Sequence, residues 1–182
     1  RSPMAAVIGS ATTLRARWRE LSPEQRESFL ALIEHETKRL ADLFGDVLDT
    51  SRIESGSFSY SFADVDVVEL IRESAALAES SQDEVAIRPR VDGSLPIVRA
   101  DRERLRQVIT NLIDNAVKYS PAGAAVDVEA FAANGRITVE VRDSGPGVAP
   151  EHQSLIFEKF GRVSGEHAKP GTGLGLFIAR SI

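Results

Sequence analysis

The sequence predicts two structural classes in succession: an amphipathic helical hairpin, then a two-layer α/β unit with helices laid on one side of a mixed sheet. Three observations carry this reading. Apolar residues recur at three- and four-residue spacings through the first part of the chain, Ser55-Gly56-Ser57 breaks that period, and beyond the break alternating stretches such as Val126–Phe131 and Arg136–Arg142 are interleaved with further helix-period segments. With 182 residues, 42% of them hydrophobic, the chain has enough apolar material for one ordinary domain or two small ones.

The first helix is expected from Pro3 to Trp18, where Met4, Val7, Ile8, Ala11, Leu14 and Trp18 share the helical period, with Pro3 at a first-turn position that tolerates proline. Ser22-Pro23-Glu24-Gln25 starts the second: Ser22 as cap, Pro23 at the first helical position, Gln25 placed to close a capping box. Along that long helix Phe29, Ile33, Glu36, Leu40, Leu43, Val47 and Thr50 follow a 4-3 alternation, while Leu32, Phe44 and Leu48 widen the stripe. Two helices cannot bury so broad a face alone, so two copies are expected to pair through residues 1–57 into a homodimeric four-helix bundle.

The second unit is expected over 58–182. Phe58, Tyr60 and Phe62 alternate with serines as in a half-buried strand; Val67–Ala78 reads as a helix and Val85–Val91 as a strand. Asp101 caps a helix running to about Tyr119, with Leu105, Val108, Ile109, Leu112, Ile113 and Ala116 on its apolar face. Val126–Phe131 and Arg136–Arg142 are strands joined at Asn134-Gly135, a strong hairpin signal. Most of the late glycine lies between Gly161 and Gly175, a loop expected to move.

Several functional classes drop out early. A formal charge of -5, from 22 Lys plus Arg against 27 Asp plus Glu, argues against a nonspecific grip on nucleic acid. There is no cysteine, hence no disulfide framework, zinc-thiolate site or thiol nucleophile. No stretch approaches the roughly 20 apolar residues that cross a bilayer, and no signal peptide opens the chain, so this segment is expected to be soluble. His35, His152 and His167 are scattered without metal-ligand spacing or a nucleophile beside them.

Three motifs together read as a magnesium-nucleotide site. Asn111 and Asn115 lie one turn apart on a helix, and an amide oxygen at Asn115, with Asn111 in support, can complete an octahedral oxygen shell around Mg2+. Lys118, on a neighbouring line, would neutralise phosphate. Taken alone, these are polar residues facing water; the glycine motifs that follow tip the reading. Asp143, after the strand Ile137–Val141, can accept a hydrogen bond from the exocyclic amine of adenine, with Gly145 and Gly147 letting the backbone approach the base; alone it is also an ordinary turn. Gly171-Thr172-Gly173-Leu174-Gly175 runs into a helical segment, so its amides can converge on phosphate. It lacks the lysine of the P-loop and does not match the dinucleotide fingerprint. Phe157 and Phe160 are expected to anchor the loop. Arg162 is either a phosphate clamp or a solvated charge, and Tyr119 either lines the ribose and adenine pocket or fills the helix end.

With these residues in view, the chain closely resembles the bacterial two-component sensor histidine kinases. Asn111–Tyr119 is similar to their N box, Asp143–Gly147 to the first glycine box, Phe157–Phe160 to the F box and Gly171–Gly175 to the second glycine box, in that order. The opening Arg1-Ser2-Pro3-Met4 resembles the tail of the H box. The resemblance implies a GHKL (Bergerat) ATP-binding fold behind the bundle and a reaction in which the γ-phosphoryl group of ATP passes to a histidine and then to an aspartate of a cognate response regulator. It implies that the acceptor histidine lies three residues upstream of Arg1, that the sequence is truncated at both ends, and that the parent is an inner-membrane sensor of which this is a cytoplasmic part. Ser2 falls where a hydroxyl or amide orients water for dephosphorylation of the regulator. The implied nucleotide set is Asn111, Asn115, Lys118, Tyr119, Asp143, Gly145, Gly147, Phe160, Arg162, Gly171, Thr172, Gly173, Leu174 and Gly175. Two rivals stand beside this: a conformational ATPase of the same superfamily, which would carry Glu where Asn111 stands, and a noncatalytic ATP-binding dimeric scaffold.

Overall fold

The computed structural model describes residues 3–82, 84–91, 93, 95–163, 169 and 171–182. Ser2 and His167 lie outside the described residues. The chain divides into two compact units, Arg1–Arg52 and Ile53–Ile182.

In the first, α1 (Pro3–Arg17) and α2 (Pro23–Glu54) form the expected hairpin. The capping box is present in both directions: the Gln25 N–H donates to Ser22 Oγ at 3.2 Å, and the Ser22 N–H donates to Gln25 Oε1 at 2.9 Å. Arg26 closes the turn by donating to the Trp18 carbonyl at 2.9 Å and lying 4.6 Å over its ring. The inner stripe of α2 holds Phe29, Ile33, Glu36, Leu40, Leu43 and Thr50 as expected, but Val47 is exposed and Asp46 is half-buried in its place. Burial, then the neighbouring Asp42 and Asp49, push the Asp46 carboxyl above its ordinary value. Ile8, Phe44 and Leu48 lie bare on the chain alone, at 58%, 66% and 57% exposure.

The second unit contains β1 (Ala63–Val65), α3 (Val67–Ser80), β2 (Ala86–Val91), β3 (Val98–Ala100), α4 (Arg102–Tyr119), β4 (Ala125–Ala133), β5 (Arg136–Arg142) and α5 (Gly175–Ser181), with 3-10 turns at Pro150–His152 and Leu155–Phe157. The main sheet is ordered β2-β4-β5: β2 is parallel to β4, and β4 is antiparallel to β5. Asn134 and Gly135 turn the β4–β5 hairpin with φ of 54° and 73°, the left-handed pair such a tight turn requires. Asp66 caps α3, accepting from the Val68 and Glu69 N–H groups. Leu70 and Ile71 of α3, Ile109, Ile113 and Ala116 of α4, and Val126 and Val128 of β4 form one core, packed by Ile137, Val139 and Val141 of β5.

The strand expected at Phe58–Phe62 is absent. Those residues precede a three-residue strand, β1, whose antiparallel partner β3 ends at Ala100 because Asp101 turns the chain into α4. The aromatic alternation instead records side-by-side rings: Phe58 and Tyr60 are 5.2 Å apart, and Tyr60 and Phe62 5.8 Å.

Candidate functional site

Helix α4 sorts its side chains by face. Ile109, Ile113 and Ala116 enter the core, while Asn111, Asn115 and Lys118 stand half-buried beside the start of α5. Asn111 Nδ2 donates to the Gly175 carbonyl at 3.1 Å, and a Cβ on Gly175 would sit 3.3 Å from Asn111 Oδ1. Glycine is thus what allows α5 to start against the asparagine. Asn115 Nδ2 donates back to the Asn111 carbonyl at 2.9 Å, which leaves Oδ1 of Asn115 as an acceptor with no protein donor among the described residues. An oxygen so held fits a hard cation such as Mg2+.

Lys118 reaches under the glycine-rich segment: a Cβ on Gly171 would lie 2.5 Å from its Nζ. The ammonium also lies 5.0 Å over the Tyr119 ring, giving that ring a packing role at the helix end. Burial first, and then the positive charges of Arg162 and Lys169, hold the Lys118 pKa below its ordinary value of 10.5. Arg162 Nη2 donates to the Lys169 carbonyl at 3.1 Å, tying the clamp candidate to the same segment. Lys169 was invisible as a site residue in the sequence, a single lysine in a loop with no spacing rule to distinguish it.

On the other flank, Asp143 Oδ1 accepts the Gly145 N–H at 2.7 Å, and a Cβ on Gly145 would meet that oxygen at 2.7 Å and the Tyr119 carbonyl at 3.0 Å. The acidic turn is therefore pressed onto the C-terminal end of α4, with Asp143 exposed. In the glycine-rich turn, Thr172 Oγ1 accepts the Leu174 N–H at 3.1 Å, and the Leu174 side chain is 1% exposed.

Phe157 and Phe160 were expected to anchor the loop by packing. Phe157 does so, half-buried and 5.7 Å from the Arg180 guanidinium carbon. The Phe160 ring is 58% exposed; its contribution is made by the main chain, at φ 61°, against Gly173 at φ 72°. A Cβ on Gly173 would lie 2.8 Å from the Phe160 carbonyl carbon. A groove of about 540 Å³ lined by Val108, Leu112, Phe157 and Ala179 lies on a neighbouring side of α4 and contains none of the candidate nucleotide residues. His35 is exposed and His152 half-buried.

Asparagines on a helix, an acidic glycine turn and a glycine-rich turn thus meet around α4. Residues 100–182 match the family described as histidine kinase-, DNA gyrase B- and HSP90-like ATPase, and residues 1–56 match the His kinase A (phospho-acceptor) domain. The chain belongs to the sensor histidine kinases. Drug sensory protein A of Synechocystis is 35% identical over 195 residues, covering 100% of this chain and 29% of that protein. Histidine protein kinase DivJ of Caulobacter vibrioides is 32% identical over 186 residues, 100% of this chain and 31% of its own length. The chain therefore spans less than a third of either relative. Among solved structures, full-length ShkA in complex with AMPPNP superposes with a TM-score of 0.72 at 36% identity, covering 100% of this chain and 38% of that one. The histidine kinase ThkA in complex with the response regulator TrrA gives 0.62 at 25% identity, covering 99% and 50%. The helical region followed by an α/β sheet unit is the architecture of these kinases, with the GHKL nucleotide fold in the second unit.

Proposed function

We propose that this chain is the dimerising and ATP-handling part of a sensor histidine kinase, with residues 1–57 as the dimerisation and phosphotransfer hairpin and 58–182 as the catalytic unit. The observation that carries the reading is the gathering of Lys118, Arg162 and Lys169 beside Asn111 and Asn115. Burial first, and then repulsion from Arg162 and Lys169, lowers the Lys118 pKa, and a triphosphate relieves that repulsion. Asn115, with Asn111 in support, would hold a Mg2+ ion, whose chemistry there would be to neutralise phosphate charge.

The Asn115 amide oxygen would hold the cation, and Asn111, bonded to the Gly175 carbonyl, would support it. Lys118 and Arg162 offset phosphate charge, and Asp143 selects adenine through the carboxylate oxygen not used by Gly145. Glycines 145, 147, 171, 173 and 175 keep the backbone close to the ligand. In the transfer step an imidazole nitrogen of the acceptor histidine bonds to the γ-phosphorus while the bond to the departing ADP oxygen breaks. A neutral imidazole, with a reference pKa of about 6.5, needs no carboxylate to activate it, in keeping with Asn rather than Glu at 111.

The bare Ile8, Phe44 and Leu48 support pairing of two hairpins, and the ThkA–TrrA complex supports a response regulator as the second partner. A role for Ser2 in dephosphorylating that regulator follows from the family resemblance. No helix among the described residues is long and apolar enough to cross a membrane, and a cytoplasmic position beneath a membrane-bound sensor is part of the same proposal.

Calorimetric titration with ATP, with and without Mg2+, and with GTP tests the reading. Saturable, magnesium-dependent and adenine-selective binding is expected; equal binding of ATP and GTP would remove Asp143 from its role, and no binding of either would overturn the nucleotide site.

A further inference from the structure

Asp101 does two jobs with one carboxylate. Oδ1 caps α4 by accepting the Arg104 N–H at 3.1 Å, and Oδ2 accepts the Ser61 N–H at 2.7 Å, forty residues back in the chain. The second bond falls where the β1–β3 ladder stops. Ala63 pairs with Ala100, and the next residue of β3 is already turning into a helix, so its side chain supplies the acceptor that its backbone no longer offers. One turn into α4, the Arg104 guanidinium lies 4.3 Å over the Phe58 ring and donates to Gln107 Oε1 at 3.0 Å, which holds it in place. The segment 58–61 is therefore fastened at two points to the first turn of the helix that carries Asn111, Asn115 and Lys118.

We propose that Asp101 is a positioning residue that couples the segment 58–62, where the hairpin gives way to the catalytic unit, to the nucleotide-binding helix, so that the two move as one body. The Ser61 and Arg104 amides, in that order of effect, hold the Asp101 carboxyl below its ordinary value, so the acceptor is fully ionised at neutral pH. Binding of nucleotide at the far end of α4 then restrains residues 58–62, and by reciprocity restraint of those residues alters nucleotide binding. The coupling rests on the nucleotide reading above; the fastening does not.

Two variants separate the jobs. Asp101→Asn keeps an oxygen to cap α4, but its second group is an amide donor that cannot accept from Ser61. Ser61→Pro removes the donor and leaves the carboxylate untouched. Amide hydrogen exchange on the 182-residue chain is expected to show residues 57–62 protected; Asp101→Asn should accelerate exchange across the segment about tenfold, and Ser61→Pro, which has no amide at 61, should do so at the segment's remaining amides. Mg-ATP should slow exchange of this segment in the parent chain and not in either variant. Unchanged exchange in both variants would overturn the fastening. If calorimetry shows ATP bound to the parent chain while exchange at 57–62 does not respond, the coupling is overturned; if calorimetry shows no ATP bound, the nucleotide reading fails and takes the coupling with it, while exchange without ATP still decides the fastening.

Discussion

The two units each carry an unmet requirement, and the kinds differ. In the α/β unit Leu70, Ile71, Ile113, Val126, Val128 and Ile178 are completely buried, so it holds a closed core of its own even though Phe62, Leu77, Ile97 and Phe160 lie exposed on its surface. What it gathers, among the described residues, is positive charge at Lys118, Arg162 and Lys169. The hairpin buries Leu14 but leaves Ile8, Phe44 and Leu48 more than half exposed, so its deficit is apolar cover. On the proposed reading, one unit has its core and binds a ligand, while the other needs a second copy to cover its apolar face.

The largest expected effect tests the finished core. Ile113→Ala should cost about 3 to 4 kcal/mol in the denaturant unfolding of the α/β unit, since the side chain is wholly buried. The same transition should be insensitive to Phe44→Asp combined with Leu48→Asp, whose effect belongs to sedimentation velocity: a dimer in the parent chain, a monomer in the double variant. If the double variant stays dimeric, the hairpin is not the interface.

Next come the site residues. Asn115→Ala should remove the magnesium dependence of ATP binding, a loss of roughly 100-fold in the presence of Mg2+ given the several contacts an octahedral ion organises. Asp143→Ala should weaken ATP about tenfold, as expected of one charge-assisted hydrogen bond, and bring ATP and GTP affinities together. The smallest effect is protonic. With its pKa held below 10.5 in the free chain, Lys118 is partly neutral in the window just under that value; phosphate charge raises the pKa again, so ATP binding there should take up protons. Calorimetry in two buffers of different ionisation enthalpy measures the uptake, and Lys118→Met should abolish it. For stability the sign is the reverse of a paired lysine. The free fold binds fewer protons than the unfolded chain in that window, so the penalty at Lys118 eases as pH rises through its lowered pKa.

Signals that reside in neighbouring residues were legible in the sequence. Ser22 and Gln25 make the box their spacing implied, Asn134-Gly135 makes the turn, and the order of the four nucleotide motifs identified the fold. What escaped was set by distant partners. A three-residue strand such as β1 or β3 is too short to show a period, and the alternation at Phe58, Tyr60 and Phe62 is the same whether the rings face a sheet or one another. Val47 fits the heptad as well as any residue, yet Asp46 takes the covered position before Thr50 rejoins the stripe, a local shift that spacing alone does not reveal. The bond from the Leu174 N–H to the Thr172 hydroxyl has no spacing signal in the glycine-rich run either.

The contact between Phe160 and Gly173 sets a rule for how the loop can vary. The volume a side chain at 173 would need is filled by the Phe160 carbonyl carbon, an atom that every amino acid at 160 brings with it, so no exchange at 160 makes room. At Gly171 the obstacle is the tip of a lysine, which can swing aside. In a saturation library, position 173 should retain only glycine whatever stands at 160, whereas position 171 should accept alanine wherever Lys118 has been shortened.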